Sequence, residues 1–410
     1  MSIASLDAAR YDVAVIGAGI LGLATARELA RRGERRIVVI DKEHTRAMHQ
    51  TGHNSGVIHS GLYYAPGSAK ARLCVAGRRL LLEFCNENGI AHDLCGKLVV
   101  AVAERELPAL EALYERGTAN GLDGLRLIEA AEIRDIEPSV RGLRAIWVPE
   151  AGIVNFRDVA LALARDTPGA ASRLGARVVG LRVSPDDVEV RTTDGVVRAE
   201  YVVACAGLQS DRIARMTGAP AEPRIIPFRG DYYVLRPERA SLVRGLVYPV
   251  PDPRFPFLGI HFTRRIDGAV WLGPNAVLAF AREGYRRRDL SVSDLAEAVG
   301  YRGFRRLAMK YWRTGLAELA RDLSKGRFLE ALRRYVPELR ADDLLPGPSG
   351  VRAQAIDADG RMLDDFAFDH ADRVLNVRNA PSPAATSSLA LAKEVVDRLE
   401  RLRSGAPAPA

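Results

Sequence analysis

Gly17, Gly19 and Gly22 form a G-x-G-x-x-G turn directly after the apolar run 11–16 and lead into a helix-forming stretch at 21–32. Each glycine has its own physical reason. The first makes the tight turn, the second lets backbone approach a pyrophosphate, and the third allows helix and strand to pack closely. The helix N-terminus then presents N–H donors and a positive dipole end to phosphate. Asp41 follows nineteen residues after Gly22, at the end of the second apolar run 37–40. A carboxylate there accepts from a ribose hydroxyl and repels a 2′-phosphate, so the pattern predicts a dinucleotide and disfavours NADP. The motif alone does not separate NAD from FAD. The next segment does: 48–64 is a polar, Gly-rich loop carrying His49, His53 and His59. A nicotinamide dehydrogenase usually continues its β-α-β winding at this point, whereas this loop is placed to fold over a cofactor.

These residues need a β-α-β unit to hold them, and the periodicity of residues 11–40 supplies one. Further on, the pattern predicts helices at 69–88 and 104–120 with a strand at 98–103 between them. Short strands follow at 178–183, 188–192, 196–198 and 201–204, separated by the turns Pro185-Asp186-Asp187 and Asp194-Gly195. Residues 225–280 are also strand-like, with Asp267-Gly268 turning between 258–262 and 269–272. Two or three helices are expected within 290–336, three short strands within 350–377, a last helix at 384–402, and a frayed tail at 404–410. This order predicts an α/β fold in which a Rossmann-like nucleotide domain is interleaved with an α+β second domain built on an antiparallel sheet. The expected boundaries are 1–90, 150–220 and 345–403 for the first, and 91–149 and 221–344 for the second.

The chain has 410 residues, 27 % of them charged and 48 % hydrophobic, which fits two to three globular domains and excludes a mostly disordered chain. No run approaches the ~18 apolar residues of a membrane span. The first ten residues lack a basic stretch followed by an apolar one, so no secretory signal is expected. Cys74, Cys85, Cys95 and Cys205 show no paired metal-ligand spacing, so no metal is expected and the thiols read as reduced. The net charge is +8, and the segment 301–339 alone holds ten basic residues against four acidic ones. There Arg302, Arg305, Arg306, Lys310 and Arg313 interleave with Phe304, Leu307, Met309, Tyr311 and Trp312. No nucleic-acid-binding motif accompanies them, so nucleic acid is not an expected partner. Two readings stay open for the segment: a peripheral contact with an anionic membrane, or a solvated basic face of an ordinary helix.

Several segments carry a resemblance that spans nearly the whole chain. TGHNSGVIHSGLYYAPGSAKARLC (51–74), IPFRGDYYVL (226–235), residues 248–285, GVRAQAIDADGRMLDDF (350–366) and NAPSPAATSSLA (379–390) join the glycine motif. Together they resemble the FAD-dependent oxidoreductases of the D-amino-acid-oxidase/glycerol-3-phosphate-dehydrogenase superfamily, and within it the L-2-hydroxyglutarate oxidases (dehydrogenases). The resemblance implies FAD as cofactor. It would place Gly17, Gly19, Ile20, Leu21, Gly22, Asp41 and Lys42 at the ADP half, with Val178 meeting the adenine. Ala206 and Gly207 would lie near the pyrophosphate. Asn54, Ser55, Gly56 and Val57 would run beside the pyrophosphate, ribityl chain and flavin ring. Ala385, Thr386 and Ser387 would open the last helix toward the flavin, where a positive dipole end stabilises reduced flavin. Many relatives have a Gly-rich turn where this chain has Ala384-Ala385; that departure matches the hydroxyglutarate branch.

Oxidising a 2-hydroxy acid requires a base, a hydride acceptor and cations for carboxylate. By the same resemblance His59 and His261 are rival bases, and Arg352 is the carboxylate fork. Tyr64, Arg229, Tyr233, Arg264 and Ser387 are expected around the rest of the substrate. The implied reaction is FAD-dependent oxidation of L-2-hydroxyglutarate to 2-oxoglutarate, with electrons passed to oxygen or a membrane quinone. The alternatives are another 2-hydroxy acid, a glycerol phosphate or an amino acid as substrate, or a flavin-binding protein without turnover. The expected location is cytoplasmic, with the inner face of the plasma membrane as the surface 301–339 would touch.

Overall fold

The structure is a computed structural model that describes residues 10–251 and 259–405. It divides into two compact units, Met1–Gly52 with Phe156–Ile226 and Ala353–Ala410, and His53–Asn155 with Pro227–Arg352. Residues 53–90, expected in the nucleotide domain, group instead with the second unit. The reason is pairing and packing: Val57–Ile58 pairs with Gly152–Val154, and Val57 and Leu62 enter a core with Val99, Ile146 and Tyr248.

In the first unit, the strands Arg10–Ile16, Ile37–Ile40 and Ala171–Arg173 lie parallel in one sheet, with Gly195–Ala204 on the other side of Arg10–Ile16. Residues 196–198 and 201–204, expected as two strands, are one. Its first half pairs antiparallel with Val188–Thr192 and its second half parallel with Val374–Asn379, so continuous pairing carries it through. Val15, Val38, Ile40 and Val202 are all buried, as strands covered on both faces require. Helix Ile20–Arg31 packs against Phe156–Arg165 and the C-terminal helix Ser388–Ser404. That last helix begins at Ser388 and ends at Gly405 in the left-handed conformation, φ 68°. Residues 406–410 of the expected tail lie outside the described residues.

The second unit is built on a sheet with nine strands among the described residues, its path running Val277–Leu278, Arg224–Leu235, Val270–Gly273, His261–Arg264, Leu246–Pro249, Lys97–Ala101, Arg144–Val148, Arg126–Glu129, with Leu344–Ile356 paired to Arg224–Leu235 off that path. The expected antiparallel order holds except where Leu246–Pro249 runs parallel to Lys97–Ala101. Residue 258, the start of one expected strand, lies outside the described residues; the strand there is His261–Arg264. The pleat sends alternate residues to opposite faces. Leu98, Val100, Val247, Phe262 and Leu272 meet Phe328 and Leu332 in one core, while Val99, Ala101 and Tyr248 turn to the other face.

Candidate functional site

In the first unit, the nucleotide turn lies where three parallel strands end. Asp41 Oδ2 accepts from Ala18 N–H at 2.6 Å and Oδ1 from Glu43 N–H at 2.8 Å, which aims the carboxylate at the glycine turn. Ala176 N–H donates to the Asp41 carbonyl at 2.8 Å, bringing the start of the strand Val178–Val183 beside it. Cys205 N–H donates to the Ile16 carbonyl at 2.8 Å, which puts Ala206 and Gly207 beside Gly17. A Cβ at Gly17 would strike the Cys205 carbonyl, and one at Gly22 the Gly17 carbonyl; around Gly19 a Cβ would meet only Thr51 Oγ1, at 3.4 Å. Two glycines therefore serve backbone packing, and the middle one leaves the space that a pyrophosphate needs. Thr51, buried, accepts from Ile20 N–H at 3.0 Å; it fixes this helix start and was not among the expected residues.

The Lys42 ammonium sits 2.6 Å from His49 Nε2 and pairs with Glu43, so its head is engaged within the loop. Also in this unit, Thr386, Ser387 and Ser388 are fully buried at the start of the last helix. The hydroxyl oxygens of Ser387 and Ser388 have no hydrogen-bond partner among the described residues. Buried hydroxyls left this way suit a polar cofactor edge. The fitted glycine cradle and these orphaned hydroxyls are compatible with FAD.

In the second unit, one face of the nine-stranded sheet gathers the reactive groups. The register places Tyr233 opposite Leu272 and His261 opposite Gly273, so Tyr232, Gly273, His261 and Tyr248 form a row on one face. Tyr248 stacks on His261, centroids 3.9 Å apart. His261 Nδ1 lies 2.9 Å from the Gly259 carbonyl. A carbonyl only accepts, so Nδ1 carries the proton and Nε2 is the acceptor. Burial first, then Arg352 and Lys97, hold His261 in its neutral form, with a pKa pushed down to about 3. His59 is pushed down to about 3 by burial, Lys97, His261 and Lys70. Both rival bases are therefore neutral, and Arg352, on the strand Leu344–Ile356, acts electrostatically on Tyr232 and His261.

The same pleat removes three expected residues from the face. Tyr233 sits one residue from Tyr232 and Arg264 three from His261, odd offsets that point both the opposite way. Tyr233 packs edge-on against Phe328 at 4.8 Å, and Arg264 donates to the Arg244 carbonyl at 3.0 Å. Arg229 is buried and bound to carboxylates, 3.0 Å from Asp231 and 3.7 Å from Asp322, which leaves its fork no free edge for substrate. Tyr64 stays near the site, 5.3 Å beneath the Lys70 ammonium. Asn54 Oδ1 accepts from Gly56 N–H at 2.8 Å, and Arg265 Nη1 donates to the Asn54 carbonyl at 2.8 Å while stacking on Trp271. Arg265 thus props the 54–57 loop. His53 is held by the Ser349 carbonyl at 3.1 Å and by stacking on Tyr285, a structural placement.

Sequence reasoning passed over Tyr232, Tyr248, Arg265 and Lys97. The available signal was parity: Tyr232 and not Tyr233 shares the face of His261. Lys97 opens an otherwise apolar strand, KLVVA, and is buried.

A family model described as FAD dependent oxidoreductase matches residues 12–398. "L-2-hydroxyglutarate dehydrogenase, mitochondrial" of Nematostella vectensis is 50% identical over 410 residues, covering 95% of this chain and 90% of that one. "L-2-hydroxyglutarate dehydrogenase" of Escherichia coli (strain K12) is 46% identical over 396 residues, covering 96% and 94%. Among solved structures, dithionite-reduced L-alpha-glycerophosphate oxidase from Mycoplasma pneumoniae with FAD bound superposes with a TM-score of 0.77 at 20% identity, covering 96% and 95%. That likeness concerns the fold, and it agrees with the Rossmann-like architecture of the first unit. The match over nearly the whole chain establishes that this protein belongs to the FAD-dependent oxidoreductase family.

Proposed function

We propose that the chain oxidises L-2-hydroxyglutarate to 2-oxoglutarate. The observation that carries this reading is a buried sheet face on which neutral His261 stands, with a second neutral imidazole, His59, and the cations Arg352, Lys97 and Lys70 acting on one or both rings. Such a face needs an anionic substrate and supplies a base, and the names of the 44–50% identical relatives point to the same acid. Bound FAD supplies the hydride acceptor. Gly17, Gly19, Ile20, Leu21, Gly22 and Asp41 are the residues we assign to its ADP half, with Val178, Ala206 and Gly207 beside them. Asn54 to Val57 and Ala385 to Ser387 are assigned to the flavin end. Arg352 grips the carboxylate next to the carbinol carbon with a planar fork, which fixes which C–H bond faces the acceptor. His261 Nε2, already the lone-pair nitrogen, takes the hydroxyl proton. His59 keeps that region neutral and polar beside it.

Anaerobic bleaching of the bound flavin by a panel of acids tests the reading. Bleaching by L-2-hydroxyglutarate, and not by lactate, glycerol 3-phosphate or amino acids, supports it. Bleaching only by an amine or amino acid overturns it.

We further infer that helix Arg302–Asp322 rests against an anionic lipid surface, such as the cytoplasmic face of a plasma membrane, which favours a membrane quinone over oxygen as acceptor. After a kink at Tyr311, Trp312, Leu316 and Leu319 follow one another at helical spacing and are exposed by 55, 57 and 44%, with Met309, 69% exposed, just before the kink. Exposed Arg305, Lys310 and Arg313 interleave with them. A purely solvated face has no use for that apolar stripe, whereas a lipid interface takes both components. No helix among the described residues is long and apolar enough to cross a membrane. Sedimentation with phosphatidylglycerol vesicles at low salt, lost at high salt, is the expected result; no sedimentation at either salt refutes it.

A further inference from the structure

Lys97 is the least explained group in the molecule. Its residue is 1% exposed, its ammonium stands 4.5 Å above the Tyr63 ring and 5.1 Å above the Tyr248 ring, and no carboxylate among the described residues pairs with it. Aromatic faces soften the burial of a cation but do not neutralise it. A buried charge without a counter-ion is costly, so a fold that keeps one has a use for it. The parity of its strand puts Lys97 on the face of Val99 and Ala101, the face that Tyr248 and His261 share. Burial lowers its pKa to about 8, which leaves it mostly protonated at neutral pH.

We propose that Lys97 is the anchor for the carboxylate remote from the reacting carbon, and that it makes this site selective for dicarboxylate 2-hydroxy acids over monocarboxylates. The inference rests on the proposed function and deepens it. His261 lies within electrostatic reach of both Arg352 and Lys97, so both cations stand near one imidazole. Arg352 takes the carboxylate beside the carbinol, Lys97 takes the far one, and the proton acceptor is near both. Arg352 feels Glu318 and Arg265 feels Asp267, but no carboxylate is among the groups that shift Lys97, His59 or His261. The second carboxylate of the ligand is the missing counter-charge. A monocarboxylate bound through Arg352 would leave Lys97 buried and unneutralised, which is the source of discrimination.

The test uses ligands that cannot be oxidised, so it does not depend on turnover. The flavin absorbance of the FAD-loaded wild type is titrated with glutarate and with butyrate, and glutarate is expected to bind at least 30-fold tighter, roughly the worth of one buried charge pair. Lys97→Met, which keeps the aliphatic stem, is expected to weaken glutarate about 100-fold and butyrate less than about 3-fold. Lys97→Gln serves as a second variant, and an unchanged flavin spectrum reports folding for both. A wild type without preference for glutarate overturns the proposal even if neither variant folds. Equal losses for the two ligands also overturn it, because they mark a general electrostatic role. If L-2-hydroxyglutarate fails to bleach the wild-type flavin while the glutarate preference and its loss are seen, the proposed reaction fails and the Lys97 assignment stands.

Discussion

Replacing His261 by glutamine tests whether the imidazole is held neutral. In the native protein its pKa is pushed down to about 3 by burial, helped by Arg352 and Lys97, whereas in the unfolded chain it returns to about 6.5. Between those values the unfolded chain binds a proton that the native protein refuses, so stability is complete above about pH 6.5 and falls as the pH drops toward 3. Between about pH 7 and about pH 5 this one residue costs the native state about 2 kcal/mol. The figure is insensitive to the native pKa, because any value well below 5 leaves the native ring unprotonated across the interval. His261→Gln removes the titration but keeps a polar side chain. It loses the stacking on Tyr248, a cost that does not change with pH. Urea unfolding of the FAD-loaded proteins at the two pH values measures the difference. The expected result is a variant whose stability declines by about 2 kcal/mol less than wild type over that interval. Identical pH dependence in the two proteins would refute the neutral, buried imidazole.

Other outcomes follow from the same geometry. His261→Gln is expected to slow anaerobic flavin reduction about 100-fold or more, the usual worth of a positioned base, whereas His59→Gln slows it less than about 10-fold; the reverse ranking, in stopped-flow measurements, moves the base to His59. Arg352→Ala is expected to raise the substrate concentration needed for half-maximal bleaching by about 100-fold, the cost of removing a buried charge partner; unchanged bleaching removes Arg352 from the site. Gly22→Ala drives a Cβ into the Gly17 carbonyl and forces the turn open. Flavin absorbance relative to protein should fall well below that of wild type after gel filtration, and full FAD retention would refute the cradle.

Much of the first unit was legible without coordinates because its signals are local. The glycine turn depends on residues close in sequence, and Asp41 follows at the distance a β-α-β unit sets, so motif and periodicity were sufficient. The apolar strands around it, covered on both faces, read as continuous runs for the same reason. The second unit was legible in class but not in detail. Tyr233 and Arg264 looked as suitable as their neighbours because residue type does not reveal which way a pleat turns, and Arg229 looked available because its carboxylate partners lie at Asp231 and far along the chain at Asp322. The grouping of 53–90 with the second unit depends on pairing between Val57–Ile58 and Gly152–Val154, nearly a hundred residues apart.

The amino-acid sequence by itself determined the dinucleotide turn, the acid after it, the histidines and arginine suited to hydroxy-acid chemistry, and the basic segment 301–339. Tertiary structure decided which of those side chains share a face. Sheet register aligned His261 with Tyr248 and Tyr232, and packing buried Lys97 against two aromatic rings. The physical reason is that chemistry depends on charges and lone pairs a few ångströms apart. In a sheet those distances are set by pairing between strands remote in sequence, where a shift of one residue reverses every side chain.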